Sequence, residues 1–264
     1  MREGRLAVVF AVAVAMTTLP TAGCKRRTAE PTRARVPSAA GGAAVEDPDA
    51  GDQIVEDARR YDVRTWSFAL DRYDLRIEDV GMGTALDAVL ERTNADLVVN
   101  GGFYDPEGKA VGLAMSDGAV VSRLAHTTGG VVTFDGERAR LWATETFAIP
   151  DGTRFALQCK PRLVVDGAPN VRSDDGHRSE RTALCLRDGG KTIEVVIVRV
   201  DSTESAGPSL FALGRFLARH GCEGALNLDG GPSTGLAWRE DGKVRLLAPR
   251  RPVRHAVTIK RRGT

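Results

Sequence analysis

Short apolar runs separated by glycine and aspartate turns dominate the chain after about residue 54. Residues 61–70 and 73–80 alternate apolar and polar positions with a period of two, which predicts a hairpin with one solvated face. Residues 192–200 are almost continuously β-branched, and such a run predicts a central strand covered on both faces. The pattern therefore predicts a fold built mainly of strands.

Helical spacing of apolar residues occurs in two places. A stripe within residues 84–92 predicts a first helix, with Thr84 as its N-terminal cap. Pro208 opens a second stripe and Gly221 ends it, which predicts a second helix between them. The sequence has no internal repeat. The expected fold class is α+β, a single domain of mainly antiparallel, mixed sheets with two principal helices.

The first 24 residues have the pattern of a signal peptide of the lipoprotein type. A basic start precedes a short apolar run, and the small residues before Cys24 resemble a bacterial lipobox. We expect Cys24 to be lipidated, and ordinary signal cleavage is the alternative. Residues 25–53 mix Arg, Pro, Ala, Gly and Asp without apolar periodicity. They predict a disordered tether that leads to a domain at 54–264.

The expected signal peptide and tether predict where the protein is located in the cell, and the charge balance predicts which partners it lacks. A lipid anchor would hold the protein on a membrane of the bacterial cell envelope, and Lys25 after the cysteine favours the outer membrane. Without the anchor, the protein would be secreted to the periplasm. The chain has 37 Lys and Arg against 35 Asp and Glu, a net charge of +2, so no global field attracts nucleic acid. We therefore expect no nucleic-acid partner.

The metal-binding and cysteine patterns are sparse. The four histidines lack the paired spacing of zinc ligands, so we predict no metal ligands, although Asp side chains and carbonyls could hold Ca²⁺ or Mg²⁺. After Cys24, three cysteines remain, an odd number for an oxidising compartment. A disulfide between Cys159 and Cys185 is favoured, which would leave Cys222 as a buried thiol.

Two turns rich in glycine carry the candidate chemistry. The first glycine turn, residues 100–105, reads Asn-Gly-Gly-Phe-Tyr-Asp and follows an apolar run. The second glycine turn, residues 227–234, combines an amide, an acid, two glycines and two hydroxyls. Such groups at a strand end suit a polar, hydroxyl-rich substrate. We interpret the turns as two walls of one site, with ordinary local turn chemistry as the alternative.

Both turns, together with the motifs at 158–163, 178–183 and 210–234, resemble the phosphodiester glycosidase family over roughly residues 60–260. The resemblance implies a hydrolase that cleaves a sugar-1-phosphodiester in envelope or extracellular glycans. The sequence departs from the family at Cys159 and Lys160, where a glycine often precedes the proline, and at Cys185, where glycine is common. These departures leave the substrate preference open.

Cleavage of a glycosyl phosphodiester needs carboxyl groups at the sugar and a cation at the phosphate. The residues and the resemblance together assign Asp229, Asp105 and Arg181 as catalytic. Glu180 is a further acid candidate, Arg181 has a structural ion pair as its alternative role, and Asp105 could merely shape a turn. The expected substrate-binding residues are Asn100, Gly101, Gly102, Phe103, Arg162, Thr182, Asn227, Gly230, Gly231, Ser233 and Thr234.

Two other functions remain open at this stage. A non-catalytic carbohydrate-binding or envelope-scaffold lipoprotein could use the same fold, and a phosphodiesterase could cut the other ester bond. The discriminating feature is whether Asp105, Arg181 and Asp229 converge on one cleft with room for a phosphate.

Overall fold

The computed structural model describes residues 52–201 and 206–263. The expected signal peptide at 1–24, with Cys24, and nearly all of the tether at 25–53 lie outside the described residues. Neither helix within the described ranges is long and apolar enough to cross a membrane.

Within the described residues the chain forms two α-helices and 17 strands. The helices are α1 (Leu86–Thr93) and α2 (Leu210–Arg219), and short 3₁₀ turns occur at Thr144–Thr146, Asp188–Gly190 and Gly231–Ser233. The strands are β1 (Gln53–Glu56), β2 (Arg59–Ala69), β3 (Tyr73–Asp79), β4 (Leu97–Asn100), β5 (Ala114–Ser116), β6 (Ala119–Ser122), β7 (Gly130–Phe134), β8 (Ala139–Ala143), β9 (Phe155–Cys159), β10 (Arg162–Val165), β11 (Ala168–Pro169), β12 (Arg181–Arg187), β13 (Thr192–Val198), β14 (Gly224–Asn227), β15 (Leu236–Glu240), β16 (Lys243–Leu247) and β17 (His255–Arg261).

The strands form three antiparallel sheets around a shared core. The first sheet has the order β1-β2-β13-β12-β14-β10-β11, the second β16-β15-β4-β17-β3, and the third β6-β5-β9-β7-β8. Apolar side chains from all three sheets meet in one cluster, where the rings of Trp66 and Trp238 lie 5.5 Å apart. Helix α2 covers the other face of the first sheet, and α1 covers the other face of the second. The predicted α+β class is confirmed.

The two helices begin and end through different contacts. Thr84 is not the cap of α1, because the cap position is Ala85 and carries no side-chain hydrogen bond. The cap of α2 is Ser209, whose hydroxyl accepts a hydrogen bond from the Ala212 amide at 3.0 Å. Gly221 follows the end of α2 with φ of +92°, as predicted for a residue that must leave the helix in a left-handed conformation.

The predicted hairpin between residues 61–70 and 73–80 is wrong. Strand β2 pairs with β1 and β13 in the first sheet, whereas β3 pairs with β17 in the second. Alternation fixes which side chains face the core but not which strand is the neighbour. The prediction for β13 is confirmed, since it lies between β2 and β12 and is buried along nearly its whole length.

The expected Cys159–Cys185 disulfide is also wrong. Cys185 on β12 is bonded to Cys222, which follows α2, and Cys159 is a buried free thiol on β9. The pairing fails because β9 and β12 belong to different sheets, whereas α2 packs directly on the sheet that contains β12. A cross-link over 37 residues is worth about 4 kcal/mol in the chain-entropy account.

Candidate active site

A cleft of about 670 Å³ opens where β10, β12 and β14 meet the loops around them. These strands are neighbours in the order β12-β14-β10, so Arg181, Asn227 and Arg162 come from three adjacent strands. Two strand spacings, roughly 10 Å or more, separate the two arginines. The lining of the cleft combines cations, carboxylates, amides and a few apolar groups: Phe103, Thr128, Gly129, Glu145, Lys160, Pro161, Arg162, Asn170, His177, Ser179, Arg181, Leu210, Asn227, Asp229, Gly230, Gly231 and Pro232.

Asp229 is the carboxylate that follows β14 into the cleft. One of its oxygens accepts a hydrogen bond from the Gly230 amide at 3.0 Å. Burial raises the pKa of Asp229 above its ordinary value, while hydrogen bonds from the Ser233 hydroxyl and the Gly230 amide act in the opposite direction. The group is therefore a poorly solvated acid whose charge is held by short local contacts.

The glycines of the second glycine turn are required by a close approach to β12. The Gly231 amide donates to the Glu180 carbonyl at 2.8 Å, and Gly231 has φ of +59°. A Cβ at Gly230 would lie 2.9 Å from the same carbonyl oxygen. A larger residue at either position would push the turn, and Asp229 with it, away from the sheet.

Arg181 is a buried cation on the wall of this cleft. Its side chain donates to two backbone carbonyls, from Nε to Pro208 at 3.0 Å and from Nη2 to His177 at 3.0 Å. Burial lowers its pKa to about 10, so it remains charged at neutral pH. Asp175 and Glu56 act on its charge from a longer range. No carboxylate among the described residues lies within ion-pair distance of it, which leaves room for an anion of the cleft to contact the guanidinium.

The first glycine turn lies against the second, as its residue pattern predicted. The side-chain amide of Asn100 donates to the Asp229 carbonyl at 2.6 Å, and the backbone amide of Asp229 donates to the Gly101 carbonyl at 3.1 Å. The Asn100 side-chain oxygen accepts from the Thr182 hydroxyl at 2.8 Å and from the Gly235 amide at 3.2 Å. Asn100 is fully buried, so these bonds support the turn of Asp229 from behind.

Several predicted site residues do not line the cleft. Of the first glycine turn, only Phe103 reaches it, and the expected convergence of Asp105 with Arg181 and Asp229 is not seen. The Asp105 carboxylate instead accepts a hydrogen bond from the Lys109 backbone amide at 2.8 Å. This bond closes the local turn that contains Pro106. The other predicted residues outside the lining are Asn100, Gly101, Gly102, Thr182, Ser233 and Thr234.

Those residues have other contacts beneath the cleft. The hydroxyls of Thr182 and Thr234 are fully buried and lie 3.3 Å apart. A Cβ at Gly101 would lie 3.1 Å from the carbonyl oxygen of His255, so this glycine allows β17 to approach the turn. They form a buried polar layer that fixes the position of the second glycine turn.

Glu180 is committed to ion pairs and does not line the cleft. Arg250 donates to both of its oxygens, at 2.9 and 3.0 Å, and the Arg199 guanidinium lies 3.1 Å away. The Val200 amide also donates to it at 2.9 Å. Both oxygens of Glu180 are occupied by arginines and by a backbone amide outside the cleft, so Glu180 is not placed to act on a substrate there.

Sequence reasoning missed part of the cleft. Glu145, Lys160, Asn170 and His177 line it, yet no motif in the sequence marks Glu145, Asn170 or His177. Lys160 was visible only as a departure from the family pattern. These residues come from separate loops, and their proximity arises from the packing of the first and third sheets.

One group of potential metal ligands occurs in the described part of the chain, consisting of Cys185, Glu194 and Cys222. The two sulfurs form the disulfide, so neither can act as a thiolate ligand. The cleft itself brings together only two carboxylates from its lining, Asp229 and Glu145.

Comparison with known proteins decides the family. Residues 93–260, more than half of the chain, match the family model described as phosphodiester glycosidase. The chain belongs to the phosphodiester glycosidase family. The resemblance carried by the motifs is thereby confirmed, and the whole cleft lining lies within the matched range. A comparison with curated protein sequences found no match.

Solved structures share the fold of this member of the family. The catalytic domain of zebrafish N-acetylglucosamine-1-phosphodiester alpha-N-acetylglucosaminidase, auto-inhibited by its pro-peptide, is 16% identical with a TM-score of 0.64, over 80% of this chain and 81% of that one. A hypothetical protein from Synechocystis is 14% identical with a TM-score of 0.62, over 79% of this chain and 61% of that one. A putative exported protein from Burkholderia pseudomallei is 16% identical with a TM-score of 0.54, over 76% and 74% of the two chains. At these identities the likeness establishes the fold.

Proposed function

We propose that this protein is a hydrolase of glycosyl phosphodiesters, the bonds that join the anomeric carbon of a sugar to a phosphodiester in envelope or extracellular glycans. The observation that carries the proposal is the pairing of Asp229, a half-buried carboxylate, with Arg181, a buried and charged guanidinium, in one cleft of about 670 Å³. Such a pair suits a substrate that is a sugar at one end and an anion at the other.

The reaction would break the bond between the anomeric carbon and the phosphate oxygen. A phosphomonoester leaves with the bonding electrons, and water supplies the hydroxyl that the sugar gains. Phosphate is a good leaving group, so charge neutralisation by Arg181 matters more than protonation of the leaving oxygen. Asp229, as a carboxylate, stabilises or attacks the positively charged anomeric carbon. Asp105 has no contact with substrate in this proposal.

The sugar would be oriented by the amides beside Asp229. Asn227 is buried at the end of β14, and its side chain donates to the Lys160 carbonyl at 2.8 Å. Its side-chain oxygen has no hydrogen-bond partner among the described residues. A sugar hydroxyl supplies the donor that such an oxygen lacks, once modest movement of the side chain brings them together.

The proposed setting is the bacterial cell envelope, with lipid attachment through Cys24 or secretion to the periplasm. The Cys185–Cys222 disulfide supports an oxidising compartment. The substrate in that setting is a glycan with a phosphodiester linkage.

The test is turnover of a panel of sugar-1-phosphodiesters by the purified protein, with Asp229→Asn measured in parallel. The proposal expects free reducing sugar and a phosphomonoester from the wild type and neither from the variant. Release of sugar-1-phosphate would instead identify a phosphodiesterase that cuts the other ester bond. Binding of the panel without turnover by both proteins would identify a carbohydrate-binding or scaffold protein.

A further inference from the structure

A second cavity of about 230 Å³ lies next to the cleft, and Arg162 lines both. Its other walls include Leu141 on β8, Val165 at the end of β10 and Glu223 just before β14. Within the described residues the Arg162 guanidinium forms no hydrogen bond or ion pair, so its donors are free for a ligand.

The two cavities follow one another along the same pair of strands. Glu145, just after β8, lines the cleft, whereas Ala139 at the start of β8 lines the second cavity. On the opposite side, Arg162 begins β10 and borders the cleft, and Asp166, just after β10, borders the second cavity. The cavities are therefore two parts of one groove between the third sheet and the first.

The stem of Arg162 crosses this groove at a fixed place. A Cβ at Gly130 on β7 would lie 2.5 Å from Cγ of Arg162, so the glycine leaves room for the arginine to pass. A Cβ at Gly224, which also lines the second cavity, would be in ordinary van der Waals contact with Leu141 at 3.4 Å and with Leu186 at 3.8 Å. The junction at Arg162 is therefore built by close packing.

Arg162, the residue that the two cavities share, gives the route between them a side, while the second cavity itself is also lined by Leu186 on β12 and Gly224 on β14. If the phosphate lies at Arg181 on β12 and the anomeric carbon lies at Asp229 after β14, the body of the sugar extends toward β10. A group attached to that sugar then meets Arg162 and enters the second cavity. The phosphate and its alcohol extend the opposite way.

We propose that the second cavity is a subsite for a further sugar unit attached to the sugar that is cleaved. The inference rests on the proposed function and narrows its substrate class to oligosaccharide or polysaccharide phosphodiesters, rather than a single sugar linked to phosphate. The side chains of Arg140, Asp166 and Glu223 supply donors and acceptors for the hydroxyls of that unit.

The experiment compares three substrates with the same scissile bond: a monosaccharide phosphodiester, the same compound with one sugar added on the sugar side, and the same compound with one sugar added on the alcohol side. The proposal expects kcat/KM to be about tenfold higher for the sugar-side extension, the gain of a modest set of new contacts. It expects no such gain for the alcohol-side extension.

Val165→Trp fills the second cavity and should reduce kcat/KM for the extended substrate to the monosaccharide value. Val120→Trp is the matched control, because Val120 is 53% exposed on β6, at the far edge of the third sheet from β8. Asp166→Asn is the second variant, since asparagine tolerates the φ of +50° at this position. It should reduce the preference even if Val165→Trp fails to fold.

Equal kcat/KM on the three substrates, a gain only on the alcohol side, or a preference that survives both variants would overturn the subsite. Absence of turnover on all three substrates would instead refute the proposed function. The two failures are therefore distinguishable. Binding of the sugar-side substrate to Asp229→Asn, with and without Val165→Trp, measures the same subsite without any chemistry.

Discussion

The two glycine turns have similar sequences, each with Asn, paired glycines and an aspartate after a buried strand, but they occupy different layers of the molecule. The second turn carries Asp229 into the cleft, whereas the first buries Asn100 behind it and leaves Asp105 in a local turn. The strands that precede them explain the difference. Strand β14 lies inside the first sheet between β12 and β10, and β4 lies in the second sheet between β15 and β17. Similar turn chemistry thus provides a reactive group in one place and its support in the other.

Asp229→Asn should have the largest effect on activity. Removal of the carboxylate at the anomeric carbon is expected to lower kcat by roughly 10²–10⁴-fold, the range for a directly participating group. Steady-state rates on a sugar-1-phosphodiester measure this effect. A loss of less than about tenfold would contradict the role of Asp229.

The same variant should not lose stability at neutral pH. The folded-state pKa of Asp229 is raised above its ordinary value, so its contribution to stability is present at low pH and is lost as pH rises through the folded pKa. Above that pKa the buried, ionised carboxylate destabilises the folded state, and a neutral amide removes this destabilisation. We therefore expect a Tm equal to or above that of the wild type at pH 7.

Arg181→Gln should have the next largest effect on activity. We expect a loss in kcat/KM of roughly 10²–10³-fold, because the phosphate loses its cation. Arg178→Gln is the matched control, since Arg178 pairs with Asp57 and Asp174 and does not line the cleft. The control should keep its kcat/KM and change little in stability, because surface ion pairs contribute little to the free energy of unfolding. Equal losses of activity in both variants would show that Arg181 has only a structural role.

The dependence of kcat/KM on pH should show a smaller effect than the loss of Asp229 or Arg181. If Asp229 acts as a carboxylate, kcat/KM should fall about tenfold for each pH unit below its pKa. Burial raises that pKa, so the acidic limb of the profile should lie above the ordinary value of 3.8. An acidic limb at or below 3.8, measured over a range in which the protein stays folded, would be inconsistent with a half-buried carboxylate that must be ionised to act.

Asn100→Ala should act mainly on stability. It breaks the bonds to the Asp229 carbonyl, the Thr182 hydroxyl and the Gly235 amide, and it leaves these buried partners unpaired. We expect a loss of about 2–3 kcal/mol in the free energy of unfolding, measured by urea denaturation, and a smaller loss of kcat than in Asp229→Asn. Unchanged stability would mean that the first turn does not support the second.

Asp105→Asn should have the smallest effect and is the matched control for Asp229→Asn. The asparagine oxygen can still accept the hydrogen bond from the Lys109 amide, so the turn is kept. We expect kcat within about threefold of the wild type and a stability change of about 0.5 kcal/mol or less. A loss of kcat comparable with that of Asp229→Asn would restore Asp105 to the catalytic set.

Local elements were predictable from the sequence to the extent that local physics decides them. The β-branched run of β13, the apolar stripe of α2 and the left-handed Gly221 all follow from properties of single segments. The pairing of β2 with β13 rather than β3 did not, because the period of a strand determines its faces and not its neighbour. The disulfide was missed for the same reason, since it depends on where α2 packs.

The residues of the candidate site also fall into two groups, those that a sequence motif marks and those that only tertiary packing brings together. Asp229 and Arg181 lie in motifs that resemble the family, and both line the cleft, whereas Asn100, which the sequence predicts to bind substrate, is buried behind Asp229. Glu145 and His177 carried no signal, because only the packing of separate loops brings them to the cleft. Motifs identify residues that belong together, and burial then separates those that can touch a substrate from those that cannot.

The most direct test of the account is hydrolysis of a sugar-1-phosphodiester in heavy-oxygen water, followed by mass analysis of the phosphomonoester product, with Asp229→Asn as the inactive control. Cleavage at the anomeric carbon puts the solvent oxygen on the sugar, so the account predicts a phosphomonoester without the label. A labelled phosphomonoester would mean that water attacks phosphorus, and it would contradict a glycosidase reaction at Asp229.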